Sequence, residues 1–490
     1  MTYVPWYLSY MIIYVVFMYV FGFYYFKKVK TSDNYLIANW NMGFWPIVGT
    51  IISTCCGAAV FIGWVGMGFT VGLSGYFKFA LPAFLVSIIL VYFFAKPLRR
   101  QKLITLADLF IERFGKTTGI IPSLLSAVVY SVPTLALQIV GMTTVFTLAF
   151  GMDKETGLIV SFLFMLTFTI LGGLPATIIT DAIQSIILVI GIIALFIASL
   201  IYGGGVRNII AETPPEYQSP FGPEGALAVL LFALSVGPFY LIWQSTWQRI
   251  FASKTEQVAR NAGVTAFVIT ALISLLPYMI GVMARQYVPL DLHPDLVFSY
   301  VTVELLHPAV GGIILVGLMA ALMTGATSFI LQGSSNLVVD LYHKLLRPEA
   351  SERSLMIMSR LSVVIIAVLG LIVAFNLTDI ITMYQWALRL SAAVLVFPFL
   401  AVMFWKRVTK IGVMGSMIIA LIASLMWPYL NLNIDHTIFG LLASLISLVV
   451  LSLLTHHSPT EKVCAVYWED LNQVKTVHEN MIAENTTLKF

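Results

Sequence analysis

Charge is scarce in this sequence. Only 10% of its 490 residues are Asp, Glu, Lys or Arg, against about a quarter in an ordinary soluble domain. So few charges cannot clothe a chain of this length in a water-facing surface, which excludes a soluble globular protein. Cysteine is rarer still: there are three, and two of them, Cys55 and Cys56, are adjacent inside an apolar run, so a disulfide scaffold is excluded. Enzyme signatures are missing as well. The sequence has no His-Glu-x-x-His, no phosphate-binding loop and no serine elbow, and the Gly203-Gly204-Gly205 triplet closes an apolar run without following a strand. A net charge of +4 spread over the whole chain is no footprint for nucleic acid.

Long apolar stretches take their place. Apolar residues make up 59% of the chain and the mean hydropathy is +0.94. A helix crosses a bilayer in about 20 mostly apolar residues. Such runs occur at 5–26, 43–66, 74–95, 118–149, 156–171, 174–203, 225–245, 262–284, 309–340, 356–376, 378–404, 410–430 and 436–456. They are continuous, unlike the short alternating segments of a membrane barrel. The expectation is an all-α polytopic protein of the cell membrane with thirteen transmembrane helices. No Lys or Arg precedes the first run and Lys27, Lys28 and Lys30 follow it, so it reads as a span and not as a cleaved signal peptide. Basic residues set the orientation. With the N-terminus outside, inner loops collect Lys27 to Lys30, Lys96 to Lys116, Arg249 to Arg260, Lys344 to Arg360 and Lys406 to Lys410, which is most of the Lys and Arg. This predicts N-out, C-in. The segment 204–224 falls outside and 457–490 forms a cytoplasmic tail, where the pair His456 and His457 reads as interface histidines.

Ionisable groups inside spans are costly and therefore informative. Three stand out: Lys78, Asp181 and Arg389. Asp181 follows a Gly172-Gly173-Leu174-Pro175 turn by two helical turns and precedes Gln184 and Ser185; its carboxylate suits either a bound cation or a helix–helix hydrogen bond. In 309–340, Thr324, Thr327 and Ser328 are spaced i, i+3, i+4 and share one helix face. That stripe reads as close helix packing or as hard oxygen donors for an ion such as Na⁺. The small residues Ser53 to Ala59 in the middle of 43–66 suit packing, or a broken helix whose freed carbonyls turn to a cavity. Arg389 needs water, an acid or a ligand. Its readings are a buried pair, with Asp181 the one acid expected well inside another span, or an anchor for a carboxylate on a solute. Tyr240, Trp243 and Trp386 read as packing or interface aromatics or as stacking surfaces, and Gln138 as a polar contact.

Several stretches together resemble a known family. Lys30 to Ala38, Thr105-Leu106-Ala107-Asp108 with Arg113-Phe114-Gly115, Gly172 to Asp181 with Gln184, Gln248 to Lys254 with Arg260, Ala320-Ala321-Leu322-Met323-Thr324 and Asp340-Leu341-Tyr342 occur in the order found in the sodium–solute symporters. The resemblance implies a LeuT-type core of two inverted five-helix repeats, 43–203 and 225–404, joined by the outer segment 204–224. Before the core comes a first helix with its inner loop (1–42), and after it two further helices (405–456). It implies one Na⁺ site built from the carbonyls of Ser53, Cys56 and Ala321 and the hydroxyl of Thr324, where the family's next hydroxyl is replaced by Gly325. A second would use Asp181, Thr324, Thr327 and Ser328. The solute would sit beside the broken helix at Gly57 and Ala58, within reach of Gln138, Tyr240, Trp243, Trp386 and Arg389. The implied activity is Na⁺-coupled symport of a small polar solute, one that carries a carboxylate if Arg389 is its anchor. Proton coupling, and an uncoupled uniporter or channel on the same fold, are the alternatives. The partners are then the solute and the bilayer; nothing in the sequence sets an oligomeric state.

Overall fold

The computed structural model describes residues 4–57, 59–376, 380–430 and 435–456; Ala58 and the tail 457–490, His457 included, lie outside them. Among the described residues there is no β-strand, and eleven helical stretches are long and apolar enough to cross a bilayer. The longer helices are α1 (Val4–Lys28), α2 (Phe44–Cys55), α3 (Val65–Val71), α4 (Leu81–Arg100), α5 (Ala107–Phe114), α6 (Ser131–Phe150), α7 (Lys154–Tyr202) and α8 (Gly225–Val236). They continue as α9 (Gln244–Phe251), α10 (Glu256–Ile273), α11 (Leu275–Ala284), α12 (Pro308–Ser335), α13 (Glu352–Asn376), α14 (Ile380–Phe404), α15 (Lys410–Leu430) and α16 (His436–Leu454). Side chains such as Ile13, Phe93, Leu272 and Ile446 face outward, as lipid-facing positions do, while the hydroxyls and amides turn inward.

The eleven stretches differ from the thirteen apolar runs at two places. The run 43–66 is not one helix. It ends as α2 at Cys55, where Cys56 leaves the helical region (φ −102°, ψ 42°), and helix resumes from Ala59 through α3. The runs 156–171 and 174–203 join into the 49-residue α7, which bends at Gly173 (φ 57°, ψ −162°). The Gly-Gly-x-Pro sequence explains the bend. Pro175 cannot donate to the helix ladder, and glycine alone tolerates this backbone region without strain. Tyr35 fills the kink: its hydroxyl donates to the Thr169 carbonyl at 2.9 Å.

α2 crosses α7 at close range. A Cβ on Gly49 would lie 2.5 Å from the Ala182 Cα, so the contact admits no side chain there. A second interruption matches the first. After α8 the chain forms a 3₁₀ turn, Gly237–Leu241, and Trp243 is extended (ψ 92°) before α9 begins.

Basic residues gather at one end of the bundle. Arg99 donates to the carbonyls of Ser253 (2.5 Å) and Trp40 (3.1 Å), and Arg100 holds Glu256 through two bonds of 2.9 and 2.8 Å. Arg113 donates to the carbonyls of Ala401 (3.3 Å) and Trp405 (2.8 Å) after α14. Lys344 pairs with Asp108 on α5. Burial pushes the Asp108 carboxyl up, but the Lys344 ammonium and the Ile104 amide outweigh it and hold it below the ordinary carboxylate range. The other end of α4, about 30 Å away at 1.5 Å per residue, carries a different set. Lys78 pairs with Glu224 of the segment 204–224 at 2.5 Å, and Arg285 stacks over the Tyr217 ring at 3.7 Å.

The kink yields a prediction. A Cβ on Gly173 would meet the Tyr35 ring at 2.6 Å and its carbonyl at 2.7 Å, at a positive φ. Gly173→Ala should cost at least about 1–3 kcal/mol and lower the thermal midpoint in detergent. Gly63→Ala, where a Cβ meets nothing within 4 Å, should leave that midpoint in place.

Candidate substrate cavity and ion sites

The two helix interruptions face each other across a partly open cavity of about 30 Å³. The first interruption contributes Thr54, Cys55, Gly57 and Trp64, and the second Tyr240 and Trp243. Tyr130, Thr134, Leu137 and Gln138 line it from the helix leading into α6 and from α6 itself, and Phe329 from α12. Among the described residues none of these side chains carries a charge. Five are aromatic, and Tyr240 meets Trp243 edge to face with centroids 5.4 Å apart. The Trp243 indole N–H is buried and has no hydrogen-bond partner; a donor left so in an apolar wall normally finds one in a ligand or water.

Next to the cavity lies a buried polar cluster. Asp181 on α7 accepts from the Thr50 hydroxyl at 2.6 Å and from Arg249 Nη2 at 3.3 Å. Arg249 on α9 also donates from Nε to the Thr50 hydroxyl (2.8 Å), from Nη1 to the Ser245 carbonyl (3.0 Å), and from Nη2 to the Ser328 hydroxyl. Its side chain is 0% exposed and that of Asp181 1%. Ser53 donates to the Asp181 carbonyl at 2.8 Å, and Thr324 to Gln184 Oε1 at 3.0 Å. Gln184 in turn donates to the Tyr14 hydroxyl of α1 at 2.6 Å.

The expected site residues therefore divide. Gly57, Gln138, Tyr240 and Trp243 come together on the cavity, while Ala58 lies outside the described residues. Cys56 sits at the interruption. The Ala321 carbonyl lies 3.9 Å from where a Cβ on Gly57 would be, and the Ser53 carbonyl accepts from the Cys56 amide at 3.2 Å. Thr324 and Ser328 face the Asp181 cluster, whereas the Thr327 hydroxyl donates back to the Thr324 carbonyl at 3.1 Å.

Two expectations are corrected. Arg389 and Trp386 do not line the cavity. Arg389 pairs with Asp435, the N-cap of α16, at 3.4 Å, and Trp386 stacks on His436 with centroids 4.3 Å apart. Arg389 is the tenth residue of α14 (Ile380–Phe404), and its acid comes from the start of α16, a position that the apolar runs leave in a loop. The acid expected for it, Asp181, belongs instead to Arg249. Arg249 in turn had been expected in an inner loop, and the structure buries it. The signal for this was local: in Gln244 to Phe251 the guanidinium stands one turn after Ser245 and is flanked by Trp247, Ile250 and Phe251.

Among the described residues no group of three or more His, Cys, Asp or Glu could hold a metal ion. What the helices do form is a mid-bundle chamber between two interrupted helices, the architecture of a secondary transporter. The chain belongs to the sodium:solute symporter family, whose pattern matches residues 35–420. It is 28% identical to the osmoregulated proline transporter OpuE of Bacillus subtilis, over 90% of this chain and 94% of that protein. It is 27% identical to the sodium/pantothenate symporter of Escherichia coli, over 89% and 95%. Its fold is that of a substrate-bound, outward-open Na⁺-coupled sialic acid symporter (TM-score 0.82, 17% identity, covering 93% of this chain and 99% of that one). The nucleobase-cation symporter Mhp1 shares the fold less closely (TM-score 0.64, 13% identity, 88% and 97%).

The buried pair makes a second prediction. Arg249→Met strands the Asp181 carboxylate away from water, at a cost of about 3–5 kcal/mol, and should lower the thermal midpoint sharply. Combining it with Asp181→Leu removes both charges and should return most of the loss. Additive loss in the double variant would show that the two groups do not act as a pair.

Proposed function

We propose that the protein imports a small solute of no net charge, driven by Na⁺, through alternating access of the chamber to the two membrane faces. The observation that carries this is the chamber itself, uncharged and rich in aromatic faces, at the meeting point of two interrupted helices. A zwitterion suits it. Aromatic faces attract an ammonium group, and the free Trp243 N–H together with a nearby Na⁺ would take a carboxylate. A proline-like imino acid fits this description, and the relatives named for proline transport agree with it; pantothenate, which a further relative carries, is an anion and fits it less well. With Arg389 committed to Asp435, the carboxylate needs no arginine.

Na⁺ is assigned to the carbonyls of Ser53, Cys56 and Ala321 with the Thr324 hydroxyl, at the interruption that lines the chamber. The second expected position, around Asp181, already holds the Arg249 guanidinium, so one coupling ion is assigned. The same pairing argues against Asp181 as a proton carrier. The membrane reading is thirteen crossings, α7 counting as two and α2 with α3 as one, in two five-helix repeats. The N-terminus is outside and the C-terminus inside, which places the basic end at Arg99, Arg100, Arg113 and Lys344 on the cytoplasmic face.

Proteoliposomes test this. An inward Na⁺ gradient should drive accumulation of labelled proline above equilibrium, and replacing Na⁺ by K⁺ should abolish it. Pantothenate, an anion at neutral pH, serves as the second labelled solute, and its accumulation in place of proline would overturn the reading of an uncharged solute. Equilibration without accumulation would indicate a uniporter, and accumulation driven by a proton gradient alone would overturn Na⁺ coupling. Thr324→Ala should raise the Na⁺ concentration for half-maximal uptake about tenfold, the effect of losing roughly 1.4 kcal/mol of ion binding. Trp243→Phe keeps the ring but removes the N–H, and should weaken solute affinity with little change in Na⁺ dependence.

A further inference from the structure

The ion position proposed above supplies four oxygens: the carbonyls of Ser53, Cys56 and Ala321, and the Thr324 hydroxyl. Hard cations such as Mg²⁺ and Ca²⁺ gather about six or more, so the shell is short. The faces of α12 show where more can come from. Thr324 turns toward Gln184 on α7, but Gly325 turns to α6. A Cβ on Gly325 would lie 2.9 Å from both Cδ and Oε1 of Gln138, closer than packed atoms approach. A Cβ on Gly57 would lie 3.5 Å from Gln138 Oε1 and 3.9 Å from the Ala321 carbonyl oxygen. The Gln138 amide thus fills the gap between the interrupted helix and α12, on the side where Ala321 presents its carbonyl. Its side chain is almost wholly buried, with the residue 3% exposed.

We infer that Gln138 lends its amide oxygen to the coupling ion as a further ligand, and that position 325 is glycine because Gln138 occupies the space a side chain would need. This rests on the ion position proposed above. A neutral oxygen completes the shell without cancelling the ion's charge, which stays available to a carboxylate in the chamber. Gln138 also lines that chamber. Ion and solute therefore meet across one side chain, and the affinity of each depends on the other, as a coupling free energy between two sites requires.

The test is Na⁺ binding to the purified full-length protein with no solute present. It is read by ²²Na⁺ in a scintillation proximity assay and by the rise in thermal midpoint on replacing KCl with NaCl. Gln138→Leu keeps the shape and removes the oxygen; it should weaken Na⁺ binding at least tenfold while leaving the midpoint in KCl unchanged. Gln138→Glu keeps an oxygen and should stay within threefold of wild type. Gly325→Ser alone should weaken binding, because its Cβ meets Gln138. Gln138→Ala with Gly325→Ser moves the oxygen onto α12 and should recover most of the affinity, which decides the matter even if Gln138→Leu folds poorly. Wild-type Na⁺ affinity in Gln138→Leu, with only solute binding weakened, makes Gln138 a solute contact and overturns the inference. Absence of Na⁺ binding in the wild-type protein would instead remove the ion site on which it rests.

Discussion

A guanidinium and a carboxylate, 3.3 Å apart and shut off from water, fix where four helices of this protein meet. Moving either charge out of water is expensive, and their attraction offsets this only when every remaining donor and acceptor is also served. Here they are. Arg249 reaches Thr50 on α2, Ser245 on its own helix, Asp181 on α7 and Ser328 on α12. The pairing dictates the course of the chain. For α9 to present Arg249 at this depth, the preceding segment must break, and it does so between Gly237 and Trp243. The break brings Tyr240 and Trp243 to the chamber wall. The same cluster pins α2 through Thr50 and Ser53, one turn before that helix gives way at Cys56. Both interruptions that shape the chamber are thus anchored from one ion pair.

The chamber contrasts with the cluster beside it. All the charge in this part of the molecule is consumed within the protein, and what faces the cavity is aromatic surface, hydroxyls and an amide. On the proposed reading a solute entering it would meet no fixed countercharge, and the ion and the solute's carboxylate would neutralise one another. Discrimination then comes from shape, from ring faces and from a few donors such as the Trp243 indole. On that reading a lone anion or cation would be disfavoured, because neither finds compensation for the water it leaves.

Much of this architecture could be read in the sequence, because membrane helices need long apolar runs and such runs are unmistakable. The interruptions at Cys56 and Gly173 were also legible, since small residues, glycine and proline in an apolar run are cheap places to bend. Side-chain pairing was harder. Arg249 follows an apolar run and precedes Lys254 and Arg260, the pattern of an inner loop, and only the break at Gly237–Leu241 reveals that the chain still has a helix to place inside. Arg389 misled in a different sense: its acid, Asp435, caps α16, where the sequence reads as a loop between two apolar runs. The choice among Asp181, Glu224 and Asp435 as partners for three buried or half-buried cations depends on contacts between residues distant in sequence, and periodicity carries no information about those.

The separation of Arg249 from its partners along the chain bears on how the protein is made. Synthesis runs from the N-terminus, and segments enter the bilayer in that order. An arginine buried in a membrane helix is costly until it is paired. Asp181 and Thr50 precede Arg249 by 68 and 199 residues and are synthesised before α9, but Ser328 follows by 79. The helices that carry Asp181 and Thr50 are thus available to receive the guanidinium before α12 is made. Burial of Arg249 would in this way depend on correct assembly of the helices made before it.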